Sequence, residues 1–220
     1  MEKLTPAERD EITKLVDGVK EAGLWDVVAG FQYDEPMLCV TTEVFEEFSS
    51  FMATFGKRQL AIFSYYEVVE GSNPRSCDPE YGKEAHLITP ESCKYLTDIG
   101  FDWYGSADIN EHRTLLNEMK EKIGRSDVRI WFFPCTSKAY ADQDEDYMVK
   151  HLNMCYDLLK EQENPGGLML YTWTTYGTQT GLQELLDPNL GYNYKRLAAR
   201  IVEIGKEINS NPYRYNKSKN

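Results

Sequence analysis

The stretch Val27-Val28-Ala29-Gly30-Phe31-Gln32-Tyr33-Asp34-Glu35-Pro36 decides how this chain is read: an apolar run that stops at two adjacent carboxylates and a proline. A run of that length closed by proline predicts a buried parallel strand, because strands covered on both faces lose the alternation of polar and apolar residues. Asp34 and Glu35 would then emerge where the strand leaves the core. The carboxyl ends of parallel strands are where α/β proteins assemble their sites. Residues 59–68, 100–108, 128–137 and 168–177 repeat the arrangement, each ending in aromatic or hydroxyl-bearing residues. The pattern predicts a rim suited to a polar, ring-shaped ligand.

Helical signals separate these runs. Thr5-Pro6-Ala7-Glu8 combines an N-cap threonine, proline at the first helical position and Glu three residues after the cap, and Ile12, Leu15, Val16 and Val19 follow on one face. Gly23 ends that helix. Thr41 or Thr42 opens a second, with Val44, Phe45, Phe48, Met52 and Phe55 on its buried side and Gly56 at its end. Thr89-Pro90-Glu91-Ser92 opens a third, and residues 111–123, 146–162 and 194–208 form the others. One helix followed by five strand-helix units specifies an α/β fold with a parallel sheet and right-handed crossovers, either an open doubly wound sheet or part of a closed barrel. Polar or aromatic side chains at every strand end favour the barrel, since an open sheet concentrates its site at one switch point. Residues 1–209 are expected to form a single domain and 210–220 a polar C-terminal tail. Residues 70–82 are the one extended connection, of a length that is usually functional.

With 220 residues and 41% hydrophobic content the chain can bury one sizeable core. Its net charge of -12 disfavours nucleic acid and anionic membranes as partners, since both would repel it at long range. Residues 1–20 carry charges throughout, so no secretory signal is read there, and no segment is apolar enough to span a membrane; a cytoplasmic location is the default expectation. Cys39, Cys77, Cys93, Cys135 and Cys155 lack the spacing of a zinc or redox pair, and His86, His112 and His151 are scattered, so neither a metal nor another cofactor is expected. Residues 142–146 begin like a calcium loop, but Tyr147 stands where glycine is needed and Asn153 where glutamate is needed. They read as acidic decoration of a helix start. Residues 177–181 lie where barrels often bind phosphate, which would suit a metabolic α/β enzyme with a phosphorylated substrate, but they contain no lysine or arginine.

The runs ending Tyr33-Asp34-Glu35-Pro36, Phe101-Asp102-Trp103-Tyr104-Gly105 and Gly167-Leu168-Met169-Leu170-Tyr171-Thr172-Trp173 resemble strands four, six and eight of glycoside-hydrolase TIM barrels, over roughly residues 24–208. The resemblance implies a TIM-barrel-like partial barrel of five strands, with the acid on Glu35 beside Asp34 and Trp173 beneath a sugar ring. It also implies a glycosidase-like hydrolase whose partner is an oligosaccharide or glycoside. Two features depart from the family. Eight strands close such a barrel and this chain supplies five, so either an exposed apolar sheet edge or its coverage by a second copy of the chain is expected. Residues 128–137, which match the seventh strand, carry no nucleophilic carboxylate.

Glycoside hydrolysis generally needs one protonated and one ionised carboxyl. Glu67, on the neighbouring run, pairs with Glu35 across strands spaced about 4.8 Å apart. Alternatively, Asp34 and Glu35 resemble the Asp-Glu dyad of enzymes whose substrate supplies its own N-acetyl nucleophile. That route requires the chain to turn near Pro36, because consecutive strand residues point to opposite faces. Tyr33, Tyr66, Asp102, Tyr104, Trp173 and Tyr176 are the candidate sugar-binding residues. The same carboxylates could instead cap the helices that follow them, and a catalytically inactive sugar-binding barrel would keep the aromatic residues without turnover.

Overall fold

Five strands hydrogen-bond side by side in chain order and run parallel: β1 (Gly30–Asp34), β2 (Arg58–Ser64), β3 (Asp98–Asp102), β4 (Arg129–Phe132) and β5 (Pro165–Leu168). The helices are α1 (Pro6–Glu21), α2 (Thr42–Ala53), α3 (Tyr65–Val69), α4 (Ile109–Ile123), α5 (Glu145–Glu161), α6 (Leu182–Leu185) and α7 (Lys195–Ser210). This computed structural model describes residues 3–38, 40–69, 86–139 and 143–211, so the expected long connection at 70–82, Cys39, Cys77 and nearly all of the polar tail lie outside the described residues. Contacts divide the chain into two compact units. One takes the chain up to Ile99 together with Asn117–Val128, and the other takes Gly100–Leu116 together with the chain from Arg129 on.

In the first unit α1 begins as its sequence predicts. Thr5 accepts from Glu8 N, and Glu8 reaches back to Thr5 N at 2.7 Å, so two of the four unpaired N–H groups of a helix start are satisfied. α2 starts on the Thr41 cap and buries Phe45 and Met52. β1 pairs with β2 so that Tyr33 lies opposite Ala61 and Asp34 opposite Ile62. In the second unit α5 packs on β4, β5 and α7, burying Met148, Leu152, Leu158 and Leu159. Asp144 caps α5, accepting from Tyr147 N at 2.9 Å, which is the decorative role expected of that acidic stretch.

Several expected boundaries are corrected. β1 is shorter than residues 27–36 and exposes Gly30, Gln32 and Asp34, because among the described residues its one strand partner is β2. Val27 lies in a short 3-10 turn and is 78% exposed. β2 does not run to residue 68. It ends at Ser64, where Ser64-x-x-Glu67 forms a capping box and starts α3. The third helix expected after Thr89 is a set of turns in which Thr89 and Ser92 cap each other. Arg125 Nη1 then takes the carbonyls of Cys93, Lys94 and Leu96 at 2.9, 2.9 and 3.1 Å, leaving these oxygens satisfied without a longer helix before β3. β3 and β4 stop at Asp102 and Phe132, short of residues 108 and 137. β5 is displaced from 168–177 to Pro165–Leu168, because Gly166 and Gly167 are needed under the Trp131 indole: a Cβ on Gly166 would sit 2.3 Å from Trp131 Nε1.

Candidate functional site

The first unit holds three of the expected carboxylates: Asp34 and Glu35 at the carboxyl end of β1, and Glu67 in the helix that follows β2. Asp34 is the last residue of β1 and opens to solvent, and partial desolvation raises its carboxyl above the usual range. Glu35 follows with φ 45°, the left-handed region that costs a non-glycine residue about 1–2 kcal/mol. Its N–H donates to Ile62 O of β2 at 2.8 Å, so a ladder bond holds the turn, which comes one residue before the Pro36 position expected for it. The alternation of strand side chains therefore ends at Glu35.

Glu67 lies in the first turn of α3, not at a strand end, and its side chain is fully buried. One carboxylate oxygen accepts from Met37 N at 2.6 Å and the other from Ser64 N. Burial pushes its pKa up to about 7, against the pull of those N–H groups, and the charge of Glu35 pushes the same way. Glu35 and Glu67 thus act on each other electrostatically. At neutral pH Glu67 is poised between its two protonation states.

The two tyrosines of this unit divide. Tyr33 is core: its ring packs edge-on against Phe45 and Phe48 of α2, and its hydroxyl donates to Gln59 Oε1 at 2.5 Å. With 9% of the residue exposed, the ring serves the packing of β1 on α2. Tyr66, on α3, remains exposed beside Tyr65. His86, which the sequence pattern left unassigned, is buried with Nδ1 within 3.1 Å of Met37 O and 3.0 Å of Val40 O, while its Nε2 has no hydrogen-bond partner among the described residues.

The second unit holds the other candidates around the ends of β3, β4 and β5. Asp102 closes β3 and is half-buried. Tyr104 stacks on Tyr171 with ring centroids 5.6 Å apart and planes 13° from parallel, and its phenol is pushed far up by burial and then by the Asp102 charge. Trp173 and Tyr176 are 59% and 75% exposed in the loop after β5. That loop is anchored: Gln183 N donates to Trp173 O at 2.8 Å, and Tyr176 and Gln179 exchange two backbone bonds. The rings are therefore presented on an ordered support.

Two histidines that look scattered in sequence meet here. His112 of α4 and His151 of α5 lie with ring centroids 5.3 Å apart, and Trp103 stacks on His112 at 4.9 Å. Burial holds both imidazoles below the ordinary range, His151 at about 4. Residues 39 positions apart on separate helices give no local signal of such a meeting. Among the described residues no group of three or more His, Cys, Asp or Glu is placed to hold a metal ion. Among the same residues no helix is long and apolar enough to cross a membrane. Compared with known proteins, the chain gives no significant match to a family model, a curated protein or a solved structure.

Proposed function

We propose that this chain is a carbohydrate-active hydrolase of partial-barrel type, cleaving a glycosidic bond with Glu35 as general acid. The observation that carries the proposal is the Glu35–Glu67 relationship. Two interacting carboxyls, one half-buried at the end of β1 and one fully buried with a pKa of about 7, make the kind of pair that acid-assisted glycoside cleavage uses. Of the two, Glu35 has the surface to meet a glycosidic oxygen. Glu67 is a positioning residue that holds the turn through Met37 N and exchanges charge influence with Glu35. Asp34 stands beside them for the dyad route. Tyr66 remains a binding group of the same unit; within the other unit, taken by itself, Asp102 and Tyr104 remain binding groups and Trp173 and Tyr176 are sugar-stacking surfaces.

The strand order supports a barrel-type winding over a doubly wound one. A doubly wound sheet reverses direction at a switch point, whereas this order runs β1 to β5 without reversal. β1 lies at the end of that order, and a second copy of the chain covering it is part of the proposal.

A catalytically inactive sugar-binding protein is the second reading, and one observation favours it. Both oxygens of Glu67 are committed to backbone N–H groups. The deciding experiment is turnover of ordinary and aryl glycosides by wild type and Glu35→Gln. General acid catalysis is typically worth on the order of 10²–10⁴ in rate, so the variant should lose that much on an ordinary glycoside and less on an aryl glycoside with a good leaving group. An active wild type whose rate survives the substitution would refute the role of Glu35. A wild type that binds oligosaccharides without cleaving them establishes the second reading.

A further inference from the structure

His151 admits only one protonation state in this arrangement. Its Nδ1 lies 3.1 Å from the backbone nitrogen of Cys135, which can only donate, and Cys155 Sγ approaches the same ring nitrogen at 3.6 Å. Its Nε2 lies 3.0 Å from the carbonyl of Trp103, which can only accept. Both contacts are made by the neutral ring with its proton on Nε2. The titratable groups around the ring are Tyr104 from the segment after β3, His112 from α4, Cys135 after β4, and Tyr147 and Cys155 from α5 itself. Asp102 acts on the Tyr104 phenol, and His112 disfavours a charge on His151.

The segment that His151 holds is the clip for the exposed aromatic loop. Cys135 bridges to Tyr171, Thr136 N donates to Tyr171 O at 2.8 Å, and Lys138 and Thr180 exchange bonds of 2.9 and 3.0 Å. Residues 135–138 thus grip both ends of the loop that carries Trp173 and Tyr176. We infer that His151 is an acid-sensitive latch: it keeps this loop ordered at neutral pH and releases it in acid. The solvent proton that enters goes onto Nδ1 and turns an acceptor into a donor facing the Cys135 N–H. The bond from the Cys135 N–H is lost, and Cys155 Sγ at 3.6 Å offers the new N–H only a weak acceptor in exchange. The inference stands whatever the loop binds.

Amide hydrogen exchange of the wild-type chain, corrected for intrinsic rates, tests this together with ring-nitrogen NMR of His151. At pH 7.5 Nδ1 should be unprotonated and Nε2 protonated. Between pH 7.5 and 4.5 the protection of Cys135, Thr136 and Thr180 should fall by roughly tenfold or more, while that of Val16 in α1 and Phe63 in β2 holds, because opening is linked to proton uptake. His151→Asn, which keeps an acceptor near the Nδ1 position and does not titrate, should retain protection at pH 4.5. The inference is overturned if Nδ1 carries the proton at pH 7.5, if wild-type protection is flat with pH, or if loss spreads equally over α1 and β2. A His151→Asn chain that folds and still loses protection as wild type does would overturn it too. Should that variant not fold, the wild-type exchange and tautomer decide alone.

Discussion

Arg58 and Asp98 face each other across β2 and β3 at the amino ends of the strands, the guanidinium donating through Nε at 2.9 Å and through Nη2 to the two oxygens of one carboxylate. Asp98 is 1% exposed and Arg58 37%, so the acid is committed to the fold while the base keeps part of its hydration. Thr97 Oγ1 adds a third donor at 2.6 Å. This pole of the sheet lies opposite the candidate carboxylates, where parallel-sheet proteins invest in stability.

Asp98→Asn is therefore expected to destabilise the chain without touching the candidate site. Breaking a buried pair costs about 3–5 kcal/mol, and the partial hydration of Arg58 reduces that to roughly 1–3 kcal/mol. Urea unfolding of the variant measures it. A loss below about 0.5 kcal/mol would show that the pair contributes nothing.

Glu67 gives stability a sign opposite to the usual carboxylate. Its folded pKa of about 7 exceeds the ordinary 4.5, so between these values the folded state alone holds the proton. The contribution is complete below pH 4.5 and is lost as pH rises through 7, by an amount on the order of 3 kcal/mol. Glu67→Gln removes the titration and leaves a fixed cost, since its amide nitrogen cannot accept from Met37 N or Ser64 N. The stability difference between wild type and variant should shrink from pH 5 to pH 8. A difference that ignores pH refutes a raised Glu67 pKa.

At Glu35 the backbone and the proposed chemistry pull apart. A residue at φ 45° gains from glycine, whose extra unfolded freedom takes part of that gain back. Glu35→Gly should leave stability unchanged or raise it by as much as about 1 kcal/mol, while lowering turnover of an ordinary glycoside by a factor on the order of 10²–10⁴, as expected of a lost general acid. Thermal unfolding together with a glycosidase assay reads both. A variant markedly less stable than wild type would mean that the Glu35 side chain holds the fold.

Much of this architecture is legible from local chemistry. The Thr5-x-x-Glu8 box, the Thr41 cap and the parallel runs around Tyr33, Leu60 and Ile130 are readable because each depends on neighbours within a few residues. The same box at Ser64-x-x-Glu67 escapes notice because Tyr65, Tyr66, Val68 and Val69 suit a strand as well as a helix, and periodicity alone does not separate the two in so short a run. The displacement of β5 has a visible cue in Gly166-Gly167, but the Trp131 ring that requires those glycines comes from another strand. Long-range encounters such as His112 with His151 depend on the crossovers, and no local pattern encodes them.

The unbroken strand order also bears on how the chain folds. Each strand hydrogen-bonds to the strand that precedes it, so every pairing closes over a single crossover and none waits for a partner made much later. Loop-closure entropy is then met in small instalments of similar size. Assembly can spread from any early pair toward either end, and its rate is set by the slowest single crossover.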